Sequence, residues 1–459
     1  MQILKSEVER LPKDHLLRIV AFTLAITVMT ATMFNIALPE IMAEFQLSLA
    51  QVSWVTSVYL LIYAVSTVIY GKLADTYKLK NLLTFGLIVF VFGSLIGLIA
   101  QDLWMLLLGR IVQAAGAAVI PATASIIPVR NFPVEMRGKA LGIAMTGGAI
   151  GSALGPAVAA LLISVLHWRF LFCMPLLTLL ALPYYRKYLN DEPRDKGQID
   201  WIGGGLLGGT VTLLLLAVTN GAWMPVVGCI LLFGLFVMRI RSTAEPFIRP
   251  ALFRNRDYCI GLVIAFLSTG IGYSLFFLTP QLLFEVNHLA AGTVGFVMIP
   301  AAAATALLGR KSGIIADLKG NSFLFYSASI FLLSCFLLLS SFAGVPSAWI
   351  AFFLIFGNVG QAFSYIALSN AISRMLPSEQ SGVGMGLLSM LNFIAGAVFA
   401  SLYGKMVDHG ADLNWNPLQA HANAAVYSNI YLILSALIVV ISLFYYFGFD
   451  KAKRSDYLK

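Results

Sequence analysis

The chain has 459 residues, 59% hydrophobic and 11% charged, with a formal net charge of +9. A soluble domain carries about a quarter of its residues as charges, so this composition excludes a soluble globule. A membrane helix needs about 20 apolar residues and the chain is filled with such runs, whereas the alternating segments of about ten residues that build a membrane barrel are absent from the sequence.

The first sixteen residues are polar, with Lys5, Glu7, Glu9, Arg10, Lys13 and Asp14. No small-residue cleavage site follows the first apolar run, which predicts an uncleaved first helix rather than a signal peptide. Apolar runs near 17–38, 51–70, 82–100, 104–126, 141–163 and 170–185 form a first group. After the polar segment 182–201, which contains Pro193, two more lie near 202–220 and 225–240. A last group lies near 258–280, 290–309, 323–341, 346–370, 384–404 and 425–449. The expected fold class is an all-α polytopic membrane protein with fourteen transmembrane helices. The count falls to twelve if 202–240 is misread, but that region is too long and apolar for one helix. The expected division is residues 1–190 as a six-helix bundle, 191–257 as a linker with two additional helices, and 258–459 as a second six-helix bundle.

The positive charge is placed by topology, not by nucleic acid. Lys72, Lys78 and Lys80; Arg130, Arg137 and Lys139; Arg186, Lys187, Arg194 and Lys196; and Arg239, Arg241, Arg249, Arg254 and Arg256 fall in alternate connections. Arg310, Lys311, Lys319 and Arg374 continue the pattern, and the opposite connections are nearly bare apart from Arg169 and Lys405. Basic loops stay cytoplasmic, which predicts a multi-pass protein of a bacterial cell membrane with both termini cytoplasmic.

The connection 71–81 reads GKLADTYKLKN, and a related string, GIIADLKGNS, starts at Gly313. Each is read as following a span and opening a basic turn. Their separation predicts two similar halves, a transporter design. Gly71 and Gly313 permit close helix approach. Asp75 and Asp317 can accept hydrogen bonds from a helix N-terminus or from Arg or Lys, which would latch one conformation. In the second span Tyr59 and Tyr63 share a face, and their hydroxyls need partners. In the fourth span Arg110 and Gln113 are three apart, so they also share a face. Arg110 lies at membrane depth with no carboxylate clearly there to pair with it, and such a charge is a functional candidate. In the fifth span Gly147, Gly148, Gly151 and Gly155 precede Pro156, and Gly151, Gly155 and Pro156 are the expected hinge. Tyr273, Phe277 and Gln281 in the ninth span, Asn358, Gln361 and Tyr365 in the twelfth, and Asn392 in the thirteenth are the expected lining of a central cavity. Glu285 and His288 flank the end of the ninth span and could titrate. Cys173, Cys229, Cys259 and Cys335 have no metal spacing, and His409 and His421 read as solvated loop residues. No metal or cofactor is expected, and no nucleophile–base pair suggests an enzyme.

Several strings together resemble the major facilitator superfamily, in its fourteen-helix drug:proton antiporter branch, with Gram-positive tetracycline and multidrug efflux proteins the nearest group. They are NIALPEIMAEF from Asn35, GKLAD at 71–75, GRIVQAAGAA at 109–118, GSALGPAVAA at 151–160 and HWRFLF at 167–172. The resemblance implies the major facilitator fold, two bundles that rock about a central site, a small-molecule substrate, protons as a second partner, surrounding lipid and a functional monomer. The chain departs from the pattern at Thr76, Lys78, Ala114 and Ala159–Ala160. Where the family places carboxylates inside the membrane, this chain has Thr30 and Ala31, Ser152 and Gly396.

Two readings follow. One is an exporter of drugs or amphipathic molecules, with proton coupling moved to edge carboxylates, for which Asp75, Asp317 and Glu285 are the candidates. The other is an exporter or facilitator of an anionic or zwitterionic metabolite or lipid held by Arg110.

Overall fold

The structure is a computed structural model describing residues 2–189, 199–220, 223–289, 291–377, 380–411, 413–419 and 421–450. Helices make up the described residues almost throughout, with no strand among them. In the first half these are α1 (Gln2–Glu44), α2 (Leu49–Thr76), α3 (Leu79–Leu98), α4 (Leu103–Ala117), α5 (Val119–Asn131) and α6 (Arg137–Val165). A 3-10 stretch, Trp168–Ala181, then runs into α7 (Leu182–Tyr188). The insert holds α8 (Trp201–Asn220), α9 (Trp223–Ser242) and the short α10 (Ala251–Arg254). The second half holds α11 (Arg256–Glu285), α12 (Ala291–Lys319), α13 (Asn321–Ser341), α14 (Ser347–Met375), α15 (Ser381–His409) and α16 (Ala425–Tyr445).

Among the described residues, thirteen helices are long and apolar enough to cross a membrane, counting α4 with α5 as one. A fourteenth is added if α12, bent by 46° between Thr293–Gly309 and Lys311–Lys319, counts as a single span. Local chemistry sets the ends. Ser48 and Gln51 form a capping box at the start of α2, and the Asp102 carboxylate accepts from Met105 N at 2.8 Å to start α4. These side chains satisfy N–H groups that a helix terminus leaves open.

Several hydroxyls inside the spans turn back on their own helices. Thr30 Oγ1 donates to Ile26 O at 2.8 Å, and Ser152 Oγ donates to Ala149 O at 3.0 Å. An unmet polar group in hydrocarbon is costly, and this local bond removes the cost without a partner helix. Thr30 and Ser152, which stand where the family pattern has carboxylates, are therefore self-satisfied and uncharged.

Helices α1 to α7 pack on one another, α11 to α16 do the same, and the two groups meet where α2 lies against α15 and α6 against α12. Glycine makes both seams close. A methyl group on Gly71 would come within 2.7 Å of Gly382 O, and one on Gly138 within 2.7 Å of Gly313 O. The strings at 71–75 and 313–317 are therefore not in turns, as the sequence suggested. Both form the last helical turns of their spans, where Cβ-free positions allow backbone-to-backbone contact. In α6 Gly142 also faces α12, at Gly309, while the later glycines serve α1: a Cβ at Gly147 or Gly151 would meet the backbone of Ala21 or Ala25. The helix runs unbroken through Pro156.

The inserted pair lies over the α2–α15 seam. Gly208 of α8 faces Val65 of α2, and Ser401 Oγ of α15 donates to Val218 O of α8 at 2.9 Å. Asp200 anchors the pair. Its buried carboxylate accepts from Gly203 N at 3.0 Å, from Arg239 Nε at 3.1 Å and from Phe247 N at 3.4 Å. Part of the expected 182–201 linker forms α7, whose Tyr185 is buried and hydrogen-bonded to Thr23 at 2.6 Å; residues 190–198 lie outside the described residues.

Candidate functional site

The two seams end in matching polar contacts at the basic end of the molecule. On the first, Asp75 of α2 reaches the N-terminus of α15. Its Oδ1 accepts from Gly382 N at 2.8 Å and from Arg130 Nη2 at 2.6 Å, and its Oδ2 accepts from Val383 N at 2.8 Å. Arg130 also donates to Ala74 O at 2.7 Å and to Ser381 Oγ at 3.3 Å, so it ties α5 to both sides of the seam. On the second, Asp317 of α12 reaches the N-terminus of α6, accepting from Gly138 N at 2.9 Å and from Lys139 N at 2.8 Å. Arg374 of α14 stands 3.8 Å from it. A carboxylate at a helix N-terminus meets open N–H groups and the positive end of the helix dipole, so each contact fastens one bundle to the other.

Arg110 sits deep in the first bundle and is fully buried. Its Nε donates to Val55 O at 3.0 Å and its Nη1 to Gln113 Oε1 at 2.6 Å, while Gln113 Nε2 donates to Ser94 Oγ at 2.8 Å. The guanidinium lies between two rings, 4.2 Å from the centroid of Phe34 and 4.0 Å from that of Tyr59. Cation–π contact supplies part of the stabilisation a carboxylate would give. Arg110 Nη2 and the Tyr59 hydroxyl are buried with no hydrogen-bond partner.

Aromatic and amide groups meet between the bundles. Tyr63 stacks on Tyr59 at 5.7 Å and meets the edge of Phe393 of α15 at 4.9 Å. The Tyr365 hydroxyl lies beside Ser369 of its own helix and Ser125 of α5, in the other bundle. A small pocket beside it is lined by Ser268 and Thr269 of α11, Gln361 and Ser364 of α14, and Asn392 of α15. Thr269 Oγ1 donates to Asn392 Oδ1 at 2.9 Å.

The remaining candidates are spread out. Asn358 Nδ2 is turned back to Leu354 O of its own helix at 3.0 Å. Tyr273 packs beside Gly396, where an added Cβ would come 3.1 Å from its ring, and Phe277 lies 6.5 Å from the Tyr403 ring. Gln281 is half-buried on the same helix. Glu285 accepts from the Tyr427 hydroxyl at 2.6 Å at the far end, away from both seams. Gly151 and Gly155 face α1.

Sequence reasoning did not single out Arg130, Ser125 or Phe34 as site residues. Arg130 carried a signal, being a basic residue at the end of an apolar span, but several residues share that description. Ser125 and Phe34 carried none. Among the described residues no group of three or more His, Cys, Asp or Glu could hold a metal ion.

Comparison with known proteins agrees with this geometry. The chain is 27% identical over 397 residues to the riboflavin transporter RibZ of Clostridioides difficile (strain 630), covering 84% of this chain and 87% of that one. It is 26% identical over 392 residues to multidrug resistance protein 3 of Bacillus subtilis (strain 168), covering 82% and 76%. Among solved structures, the human organic anion transporter MFSD10 superposes with a TM-score of 0.65 at 14% identity, covering 93% of this chain and 99% of that one. The proton:xylose symporter XylE superposes with a TM-score of 0.66 at 13% identity, covering 95% of each. Residues 20–400 match the family model of the Major Facilitator Superfamily, and the chain belongs to that family of transporters.

Proposed function

We propose that the chain is a secondary active exporter of small amphipathic molecules, working by alternating access across a bacterial cell membrane. The observation that carries this is the pair of crossed contacts, Asp75 on α15 and Asp317 on α6. Both lie at the basic end, which basic-loop placement assigns to the cytoplasm together with both termini. The conformation in hand is then closed on the cytoplasmic side, and a transport cycle has to break both contacts to load substrate from within. The likeness to multidrug resistance protein 3 supports a drug exporter, and the likeness to the riboflavin transporter RibZ supports a small organic substrate. Residues 1–190 and 258–459 act as the rocking units, and the chain works as a monomer.

Proton coupling is assigned to Asp75 and Asp317. When a seam opens, its carboxylate exchanges a buried place at a helix N-terminus for water, so its surroundings differ between the closed and open forms. A group that takes up a proton on one side and gives it up on the other is what coupling requires.

A second reading seats an anionic or zwitterionic substrate on Arg110. It is favoured by one observation, the buried Arg110 Nη2 without a partner. It requires Phe34 and Tyr59 to part from the guanidinium during the cycle.

Flux in proteoliposomes, with and without an imposed pH gradient, tests both. Gradient-driven movement of neutral or cationic drugs supports the first reading. Movement confined to anionic substrates and indifferent to pH replaces it with the second.

A further inference from the structure

Helix α8 of the insert touches both bundles: it packs on α2 of the first and on α15 of the second, along the seam between them. The two sets of contacts differ in kind. Toward the second bundle they are directional, and they hold α8 at both ends. At one end Ser401 Oγ of α15 donates to Val218 O at 2.9 Å. At the other, the Asp200 carboxylate takes Arg239 Nε of α9 at 3.1 Å and Phe247 N of the following segment at 3.4 Å. Phe247 lies against Gly204 of α8, and both it and Ile248 are 1% exposed. The chain then enters α10, whose buried Leu252 shares a cleft with Tyr258 of α11 and with Met375 and Leu376 of α14. The Asp200 end of α8 is thereby joined to the second bundle through a short, largely buried segment.

Toward the first bundle the contact in the middle of α8 is apolar. Gly208 faces Val65 of α2, and a methyl group on Gly208 would come within 2.9 Å of a Val65 methyl. Backbone lies directly on a branched side chain there, with no bond whose direction fixes one helix on the other. Such a surface permits the small sliding of packed helices by which shear motions proceed. At the basic end Lys72 of α2 feels Asp200 and Glu245, which attract it, and Arg249, which repels it. The opposed signs leave little net hold between the insert and α2.

We infer that α8 and α9 travel with the second bundle and that α8 slides on α2 as the bundles rock, covering the α2–α15 seam from the bilayer in both states. The second rocking unit then begins at α8. This deepens the alternating-access reading above and rests on it.

The test uses the full-length chain with its four cysteines replaced by alanine. Spin labels are placed in pairs at Tyr77 of the first bundle, Trp201 of α8 and Lys319 of the second bundle, all exposed positions. Distances are measured in lipid nanodiscs, with and without Asp75→Asn and Asp317→Asn together. In the doubly neutralised chain Tyr77–Lys319 and Tyr77–Trp201 should both gain a longer component, while Trp201–Lys319 stays as it was. Lengthening of Trp201–Lys319 overturns the inference alone, because the insert then rides on the first bundle or moves by itself. An unchanged Tyr77–Lys319 distance overturns the closure reading, and the inference with it. Disulfide trapping gives a second readout that needs no label. Val65→Cys with Gly208→Cys places the two Cβ atoms within disulfide range. Oxidation of this pair, followed by mass spectrometry, should be about threefold or more slower in the doubly neutralised chain, as a fall of the closed population to a third would give. Equal rates, in a chain whose Tyr77–Lys319 distance has lengthened, overturn the sliding of α8 on α2.

Discussion

Asp75 and Asp317 are equivalent in role and opposite in direction. Asp75, from the first bundle, holds the N-terminus of α15 in the second; Asp317, from the second bundle, holds the N-terminus of α6 in the first. The crossing means that neither bundle can tilt away at this end without breaking both contacts.

Neutralising either carboxylate removes the charge-assisted part of two backbone hydrogen bonds. Each such bond is worth about 1.5–3 kcal/mol when intact. Asp75→Asn and Asp317→Asn should therefore each shift the population toward a form open at the basic end, Asp75→Asn more strongly because the 2.6 Å ion pair with Arg130 is lost as well. Electron–electron distance measurements between spin labels at Tyr77 and Lys319 should show a longer component in each variant. It should be largest in the double variant. Unchanged distance distributions in all three would mean that the contacts do not control closure.

The glycine pairs should be intolerant of any side chain. With a methyl on Gly71 within 2.7 Å of Gly382 O, and one on Gly138 within 2.7 Å of Gly313 O, the seams cannot close fully. Gly71→Val and Gly138→Val should insert into the membrane at wild-type levels but lose at least about tenfold in flux, since about 1.4 kcal/mol against the closed form is enough for that factor. Wild-type flux in either variant would show that closure at this end does not depend on backbone contact.

Arg110 should separate stability from transport. Its charge is buried without a carboxylate, and replacing such a group by an apolar side chain of similar volume is often neutral or stabilising by about 1–4 kcal/mol. Arg110→Met should thus melt at or above the wild-type temperature. If the residue takes part in the cycle, as proposed, flux falls with folding intact. A variant that melts normally and transports normally would reduce Arg110 to packing. Arg110→Ala should lower flux too, with membrane insertion largely preserved.

Asp200 should govern the inserted helices. Asp200→Leu leaves Gly203 N, Phe247 N and Arg239 without their acceptor, and each buried unmet group costs about 1–3 kcal/mol. Faster hydrogen exchange confined to α8, α9 and the 243–250 segment is expected, together with a lower melting temperature. Exchange that rises equally across α11 to α16 would contradict a local anchoring role.

The sequence by itself determined the membrane class, the approximate positions of the spans, several of which run six to ten residues further than the apolar runs, and the family. Hydrophobic run length is a local property, and the family strings are contiguous. It also gave the Asp75 and Asp317 strings, though as turns instead of closing helical turns, because the helix continues there only where another helix accepts its glycines. Which groups meet was decided by tertiary structure alone. Arg130 reaches Asp75 and Ser381 across two elements, Tyr365 reaches Ser125 in the other bundle, and Arg110 is shielded by Phe34 from α1 and Tyr59 from α2. The partners are distant in the chain, and Arg130, Ser125 and Phe34 do not stand out in their own segments. Packing within the first bundle brings Arg130 to Asp75 and the two rings to Arg110, and packing of one bundle on the other brings Ser381 and Tyr365 to their partners, so only the fold could separate the cavity-lining Gln361 and Asn392 from Asn358, an amide on the same helix as Gln361 that is turned back on its own backbone.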